Sequence, residues 1–205
     1  MIIRHLARTF AVVLGTATVV PLGLATTAAA AQPASAQPTT SAQPTSDAPY
    51  EGEVIASSSL NARNAPTAAS SRMDTLSNGV IVDLQCKVYG PSVAGNDLWY
   101  KLADGTWVTA RYVANIGAAP HFCGDGEEYQ GDVIAQSSLN VRSGPSTANA
   151  TVSSAPSGHR LPLVCKVDSQ NVDGNPRWYQ LTGGGGGQWV SARYVANVGA
   201  APPYC

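Results

Sequence analysis

The chain has few charged residues and no cluster of basic ones. Its 12 basic and 13 acidic residues nearly balance, and no run of Lys and Arg stands out. Nucleic-acid binding normally requires clustered basic side chains, so we expect no nucleic-acid partner. Beyond the N-terminal segment, no stretch approaches the ~20 apolar residues that cross a bilayer. We therefore expect no membrane association once that segment has been removed.

The first 36 residues have the features of a secretory signal peptide. Arg4 and Arg8 supply a positive start, an apolar stretch follows, and small residues place cleavage after Ala31 or after Ala36. A membrane anchor is the alternative, which Pro21 within the apolar stretch disfavours. We predict a secreted protein, extracellular or associated with the cell wall.

Residues 37–49 consist mostly of Pro, Ser, Thr, Ala and Gln. Such a segment buries too little apolar surface to offset the conformational entropy lost on ordering. We predict a disordered linker here.

The remainder of the chain repeats itself. Residues 50–63 recur at 129–142, a shift of 79 positions. Three extra residues in the glycine run 183–187 then change the shift to 82, so that Trp107 corresponds to Trp189. A repeat of this size indicates two copies of one small domain.

These correspondences set the predicted domain bounds. Copy one spans residues 50–123, a short linker spans 124–128, and copy two spans 129–205. We expect each copy to fold as a separate small domain.

Each copy contains two cysteines at equivalent positions. Four cysteines allow three pairings, and the repeat favours Cys86–Cys123 and Cys165–Cys205 because each copy then has its own disulfide. Such a bridge contributes ~2–4 kcal/mol, which matters in a domain too small to have a large core. A metal site or a catalytic thiol is the alternative, but the spacings typical of those sites are missing.

The pattern of apolar residues indicates β-strands. Apolar and polar residues alternate from Val82 to Val88, and the matching positions of copy two are occupied by Leu161, Leu163, Cys165 and Val167. Each copy contains five or so short segments of this type, which suggests a small barrel. The predicted fold class is all-β, with two small β-barrels in tandem and one internal disulfide in each.

Copy two resembles the bacterial SH3-like domain, or SH3b. The residues that carry the resemblance are SLNVRSGPS at 138–146, Gly158, the Trp-Tyr-Gln-Leu run at 178–181, and Trp189-Val190. The resemblance implies a five-stranded barrel of a kind that often binds peptidoglycan or its peptide bridges. It extends to copy one, so we expect two tandem SH3-like domains.

Copy one departs from the family pattern at two positions. Ala62 stands where the family has valine, and Ala65 where it has glycine. If that glycine position requires a positive φ, Ala65 costs about 1 kcal/mol there.

Alternation also suggests where a ligand binds. If Tyr100, Leu102 and Val108 face the core, Trp99 and Trp107 lie on the outer face of the barrel. Two exposed indoles would form a platform for a peptide or sugar, flanked by a tyrosine and by an arginine that clamps a carboxylate. The candidate ligand-binding residues are Trp99, Trp107, Tyr112 and Arg63 in copy one, and Trp178, Trp189, Tyr194 and Arg142 in copy two.

Structural roles are the alternative for the same side chains. In a small domain, tryptophan often closes the end of the barrel, and arginine often donates to loop carbonyls.

We predict no catalytic site, no cofactor and no metal. His121 and His159 occupy positions that are not equivalent in the two copies, and the four cysteines are expected to be oxidised. No G-x-S-x-G segment is present.

The leading hypothesis is a non-catalytic module that binds peptidoglycan or a peptide ligand. The alternatives are a protein-interaction module that modulates a secreted enzyme and a structural component of the cell envelope.

Overall fold

The computed structural model describes residues 50–183, 185 and 187–205. The predicted signal peptide (1–36) and the predicted disordered linker (37–49) lie outside the described residues. The described part is all-β, with two single turns of 3-10 helix, as the alternation predicts. No helix within it is long and apolar enough to cross a membrane.

The strands form two antiparallel sheets of seven strands each. Sheet 1 contains β1 (Tyr50–Val54), β2 (Ser59–Arg63), β3 (Arg72–Ser77), β4 (Ile81–Val93), β5 (Asn96–Leu102), β6 (Trp107–Thr109) and β7 (Val113–Ile116). Sheet 2 contains β8 (Tyr129–Val133), β9 (Ser138–Arg142), β10 (Thr151–Pro156), β11 (Arg160–Val172), β12 (Asn175–Leu181), β13 (Trp189–Ser191) and β14 (Val195–Val198). The 3-10 turns, Ala110–Tyr112 and Ala192–Tyr194, precede β7 and β14.

The two sheets have the same strand order. It runs β3-β2-β6-β5-β4-β1-β7 in sheet 1 and β10-β9-β13-β12-β11-β8-β14 in sheet 2, so each sheet curls into a half-barrel. The expectation of about five strands per copy is too low, because the outermost strands of each sheet are largely exposed. An exposed edge strand leaves little apolar alternation in the sequence.

Each half-barrel surrounds its own apolar core. In copy one, Leu84, Tyr100, Leu102 and Val108 meet inside the sheet, and the equivalent residues of copy two do the same. The alternation therefore identifies the inner face correctly. Full burial of one such aliphatic side chain contributes about 1.5–3 kcal/mol.

Both predicted disulfides are confirmed. Cys86 pairs with Cys123 and Cys165 with Cys205. In each copy the segment that ends in the second cysteine lies along the long strand, with the Cys123 amide donating to Lys87 O at 2.9 Å in copy one. A register irregularity between Leu84 and Cys86 marks the point where β4 leaves its own core.

Beyond that point both copies contribute to one buried cluster, which we call the shared cluster. It contains Cys86, Val88, Trp99, Trp107 and Cys123 from copy one, and Cys165, Val167, Trp178, Trp189 and Cys205 from copy two. The same set of positions is used by both copies, as in an interface between identical subunits. The two copies, each with its own core, are thus packed against each other through this cluster.

Hydrogen bonds also cross between the copies. Trp189 Nε1 donates to Tyr89 O at 2.8 Å, and Thr67 Oγ1 donates to Asn149 Oδ1 at 3.0 Å in a buried position. Buried polar groups paired in this way fix the relative orientation of the surfaces that carry them.

Close packing between the copies explains a glycine of the family pattern. A Cβ on Gly144 would lie 2.5 Å from Pro91 Cγ of copy one. Neither Gly144 nor its counterpart Ala65 is among the described residues with positive φ. The strain expected at Ala65 is therefore not present, and the small residue at position 144 is required by the neighbouring copy.

Candidate functional site

The four tryptophans do not form exposed platforms. Trp99, Trp107, Trp178 and Trp189 are 2%, 3%, 1% and 0% exposed. Alternation correctly places them on the face opposite each core, but that face is covered by the other copy. The prediction of an outer, solvent-facing indole pair is therefore wrong.

The remaining predicted residues lie in a groove of each copy. Groove 1 is lined by Ser59, Leu60, Asn61, Arg63, Ala68, Val93, Trp99, Thr109 and Tyr112. Groove 2 is lined by Ile134, Ala135, Gln136, Ser138, Leu139, Asn140, Arg142, Thr147, Val172, Trp178, Ser191 and Tyr194. All nine residues of groove 1 have their repeat counterparts in groove 2. The repeat therefore builds one type of groove twice.

The structure brings together three of the four predicted residue types. Arg142, Trp178 and Tyr194 meet in groove 2, as Arg63, Trp99 and Tyr112 do in groove 1. Trp107 and Trp189 do not line the grooves and belong to the shared cluster.

Different elements supply the groove walls. The arginine ends β9, the tryptophan lies in β12, and the tyrosine ends the 3-10 turn after β13. The Trp178 ring belongs to the shared cluster, and its Nε1 donates to Gln170 O at 2.9 Å. The wall of groove 2 is therefore held from behind by copy one.

Each arginine is anchored by loop carbonyls. Arg142 Nη1 donates to Thr147 O at 3.1 Å and to Asn149 O at 2.9 Å, while Arg63 Nη1 donates to Ser70 O at 2.6 Å. These bonds match the structural role considered for the arginines. They use one guanidinium nitrogen and fix the direction of the group, which keeps its positive charge at the groove.

Tyr194 has a polar partner that sequence reasoning missed. Its hydroxyl donates to Asp173 Oδ2 at 2.5 Å, and this hydrogen bond raises the pKa of the Tyr194 phenol. The phenol is thus a donor at neutral pH. Asp173 lies at the tip of the β11–β12 hairpin with a φ of 48°, followed by Gly174. The Asp-Gly pair was a visible turn signal, but nothing in the sequence relates it to Tyr194.

The outer face also carries one half-buried cation, Lys101, that is not repeated in copy two. Lys101 Nζ donates to Cys205 O at 2.5 Å, and burial lowers the pKa of this lysine. Its counterpart Gln180 is buried. Lys101 therefore joins the two copies and is not a groove residue.

Comparison with known proteins identifies part of this architecture. Residues 137–196 match the family model described as a bacterial SH3 domain. This stretch is one bacterial SH3 domain, a type of module that binds cell walls, and it contains nine of the twelve residues that line groove 2. No curated protein matches the chain.

Two solved structures show a remote similarity. They are NlpC2 and NlpC1 from Trichomonas vaginalis, 10% and 11% identical, each with a TM-score of 0.26. The alignments cover 72% of this chain and 47% and 45% of the two structures. The chain thus spans less than half the length of either protein.

Proposed function

We propose that the protein is a secreted, non-catalytic module that binds the peptide portion of cell-wall peptidoglycan. The observation that carries this proposal is the groove built at equivalent positions in both copies, within a fold that includes a bacterial SH3 domain. Copy one is, in this proposal, a second SH3-like domain, because it repeats the strand order of copy two.

The chemistry of groove 2 suits a short peptide with a free carboxylate. The anchored Arg142 guanidinium offers a positive charge, and Ser138, Asn140 and Ser191 offer polar groups. Apolar side chains, including Leu139 and Val172, suit the small methyl groups of such a peptide. A groove with an apolar lining and a few polar groups is typical of small-ligand sites.

Secretion is supported by the predicted signal peptide and by the two disulfides, which form in oxidising compartments. The absence of catalysis is also part of the proposal. All four cysteines are paired, so none is available as a nucleophile, and His121 packs against Tyr50 at 5.8 Å between ring centroids.

Retention on purified wall tests the proposal. Mature protein (residues 37–205) is incubated with peptidoglycan stripped of teichoic acid, beside the Arg142→Ala and Arg72→Ala variants. Arg72 is exposed on β3, outside both grooves, so its substitution removes the same charge elsewhere. We expect the wild type and Arg72→Ala to be retained and Arg142→Ala to be released. Failure of the folded wild type to bind at any salt concentration would refute the proposed function.

A second candidate, a protein-interaction module, is favoured by the edge strand β10. Within the described residues β10 pairs only with β9, and its side chains carry no charge. A cavity of about 340 Å³ lies along it at Ala155, where copy one has Leu76 packed against the core. An extended segment of a partner could add to this edge as a further strand.

Filling the cavity tests this second candidate. Ala155→Leu gives copy two the leucine that copy one has at the equivalent position, Leu76. If a secreted partner adds to β10, cross-linking in culture supernatant captures it with the wild type and not with Ala155→Leu. Equal capture by both proteins would rule out this site.

A further inference from the structure

We infer that ligand binding is confined to groove 2, and that the contact between Tyr194 and Asp173 positions the wall of this groove. Copy one then serves mainly to cover the tryptophan face of copy two. This inference rests on the proposed function and assigns it to one of two equivalent grooves.

The two grooves differ strongly in size. Groove 2 has a volume of about 490 Å³ and groove 1 about 180 Å³. Groove 2 gains a further wall from Ile134, Ala135 and Gln136, whereas the counterparts of these residues do not line groove 1. Only groove 2 falls within the size range of ordinary small-ligand pockets.

The hydrogen bond between Tyr194 and Asp173 has no counterpart in the described residues of copy one. Val172 lines groove 2, and the next residue, Asp173, accepts the Tyr194 hydrogen bond. The bond therefore ties the hairpin to the 3-10 turn, so two walls of the groove are held together. In copy one the position of Asp173 is occupied by Ala94, whose side chain has no acceptor for Tyr112.

A second tie holds the loop at the rim of groove 2. Gln170 Oε1 accepts from Thr147 N at 2.6 Å, from Thr147 Oγ1 at 2.8 Å and from Ser146 Oγ at 2.9 Å. Thr147 lines the groove. In copy one, Pro91 and Ala68 occupy the positions of Gln170 and Thr147, so neither side chain can form this tie. A site held at its rim loses less entropy when a ligand binds.

The repeat also supplies a safe substitution for the test. Ala94 adopts a φ of 47° at the same turn position where Asp173 has 48°. Alanine is therefore compatible with this hairpin, and Asp173→Ala removes the acceptor while the turn is kept.

Binding isotherms on stripped peptidoglycan test the inference. The variants are Tyr194→Phe, Asp173→Ala and their double, with Tyr112→Phe as the matched change in groove 1. We expect each single change in copy two to weaken retention about fivefold to tenfold, as expected for one lost hydrogen bond. The double variant should be no weaker than either single, because both remove the same contact.

Two further results separate positioning from general damage. Asp173→Asn keeps an acceptor and should restore most of the affinity, and Tyr112→Phe should bind as the wild type does. Equal weakening by Tyr112→Phe and Tyr194→Phe, or unchanged binding by Tyr194→Phe, would overturn the inference and leave the proposed function intact. No retention of the wild type would overturn both.

Discussion

Replacing Trp189 with alanine tests whether the two copies form one folding unit. The side chain is fully buried in the shared cluster, and its Nε1 donates to Tyr89 O of the other copy. Burial of a tryptophan side chain removes about 200 Å² of its surface from water. At about 25 cal/mol per Å², this burial contributes about 5 kcal/mol. Substitutions of large aromatic residues by alanine typically cost about 3–5 kcal/mol, so we expect a loss of about 4 kcal/mol in the free energy of unfolding.

The location of the loss matters as much as its size. Because Trp189 touches copy one, Trp189→Ala should speed amide hydrogen exchange in β4 (Ile81–Val93) as well as in copy two. Denaturant unfolding followed by circular dichroism gives the free energy, and mass spectrometry of exchanged peptides gives the location. Met73→Ala, at a side chain that is 61% exposed, should change the stability by less than about 0.5 kcal/mol. Unchanged exchange in β4, with two separate unfolding transitions, would refute a shared folding unit.

Three other perturbations follow from the structure. Gly144→Ala, whose Cβ would meet Pro91, should lower stability by about 1–3 kcal/mol. A Cβ added at Gly185 would meet no atom within 4 Å, so Gly185→Ala should be near neutral. Equal melting temperatures for the two variants would contradict the packing argument. Reduction of both disulfides should destabilise both copies together, because all four cysteines lie in the shared cluster. Each bridge contributes about 2–4 kcal/mol to stability, so an unchanged melting curve in reductant would contradict this prediction. The hydrogen bond from Arg160 lowers the pKa of Asp132. The stabilisation that this pair gives the folded protein is present above the unfolded pKa of Asp, about 3.9, and is lost as the pH falls through the lower folded pKa. Asp132→Asn should reduce this acid dependence in denaturation curves, and an unaltered dependence would exclude the pair as its source.

The repeat and its alternation were sufficient to predict much of the fold. The two-residue period assigned Leu84, Tyr100 and Val108 to the inner face, and the equivalent cysteines identified both disulfides. These features are local or symmetric, so the sequence alone records them. The domain bounds at residues 123 and 129 remain a prediction.

The burial of the tryptophans could not be predicted in the same way. An indole that faces solvent and one that faces a second domain have the same alternation, since both lie opposite the core. Trp99 and Trp178 are covered only because the same face of the other copy meets them. The surrounding sequence contains no periodic signal for a contact between distant copies.

Only part of the candidate site could be predicted, for a similar reason. Arg142 belongs to a segment that resembles the SH3-like family, and Tyr194 was proposed because it was expected to flank the tryptophans. Asp173 and Gln170 act through contacts across the fold, at sequence separations of 21 and 23 from Tyr194 and Thr147. Only the folded chain shows these partners.

Nuclear magnetic resonance of labelled mature protein with soluble peptidoglycan peptides tests the central claim most directly. We predict chemical-shift changes that saturate with added peptide and that cluster at Gln136, Asn140, Arg142 and Tyr194 in groove 2. The counterparts of these residues in copy one should remain unshifted. An absence of shifts up to millimolar peptide, or shifts confined to another surface, would contradict wall binding through this groove.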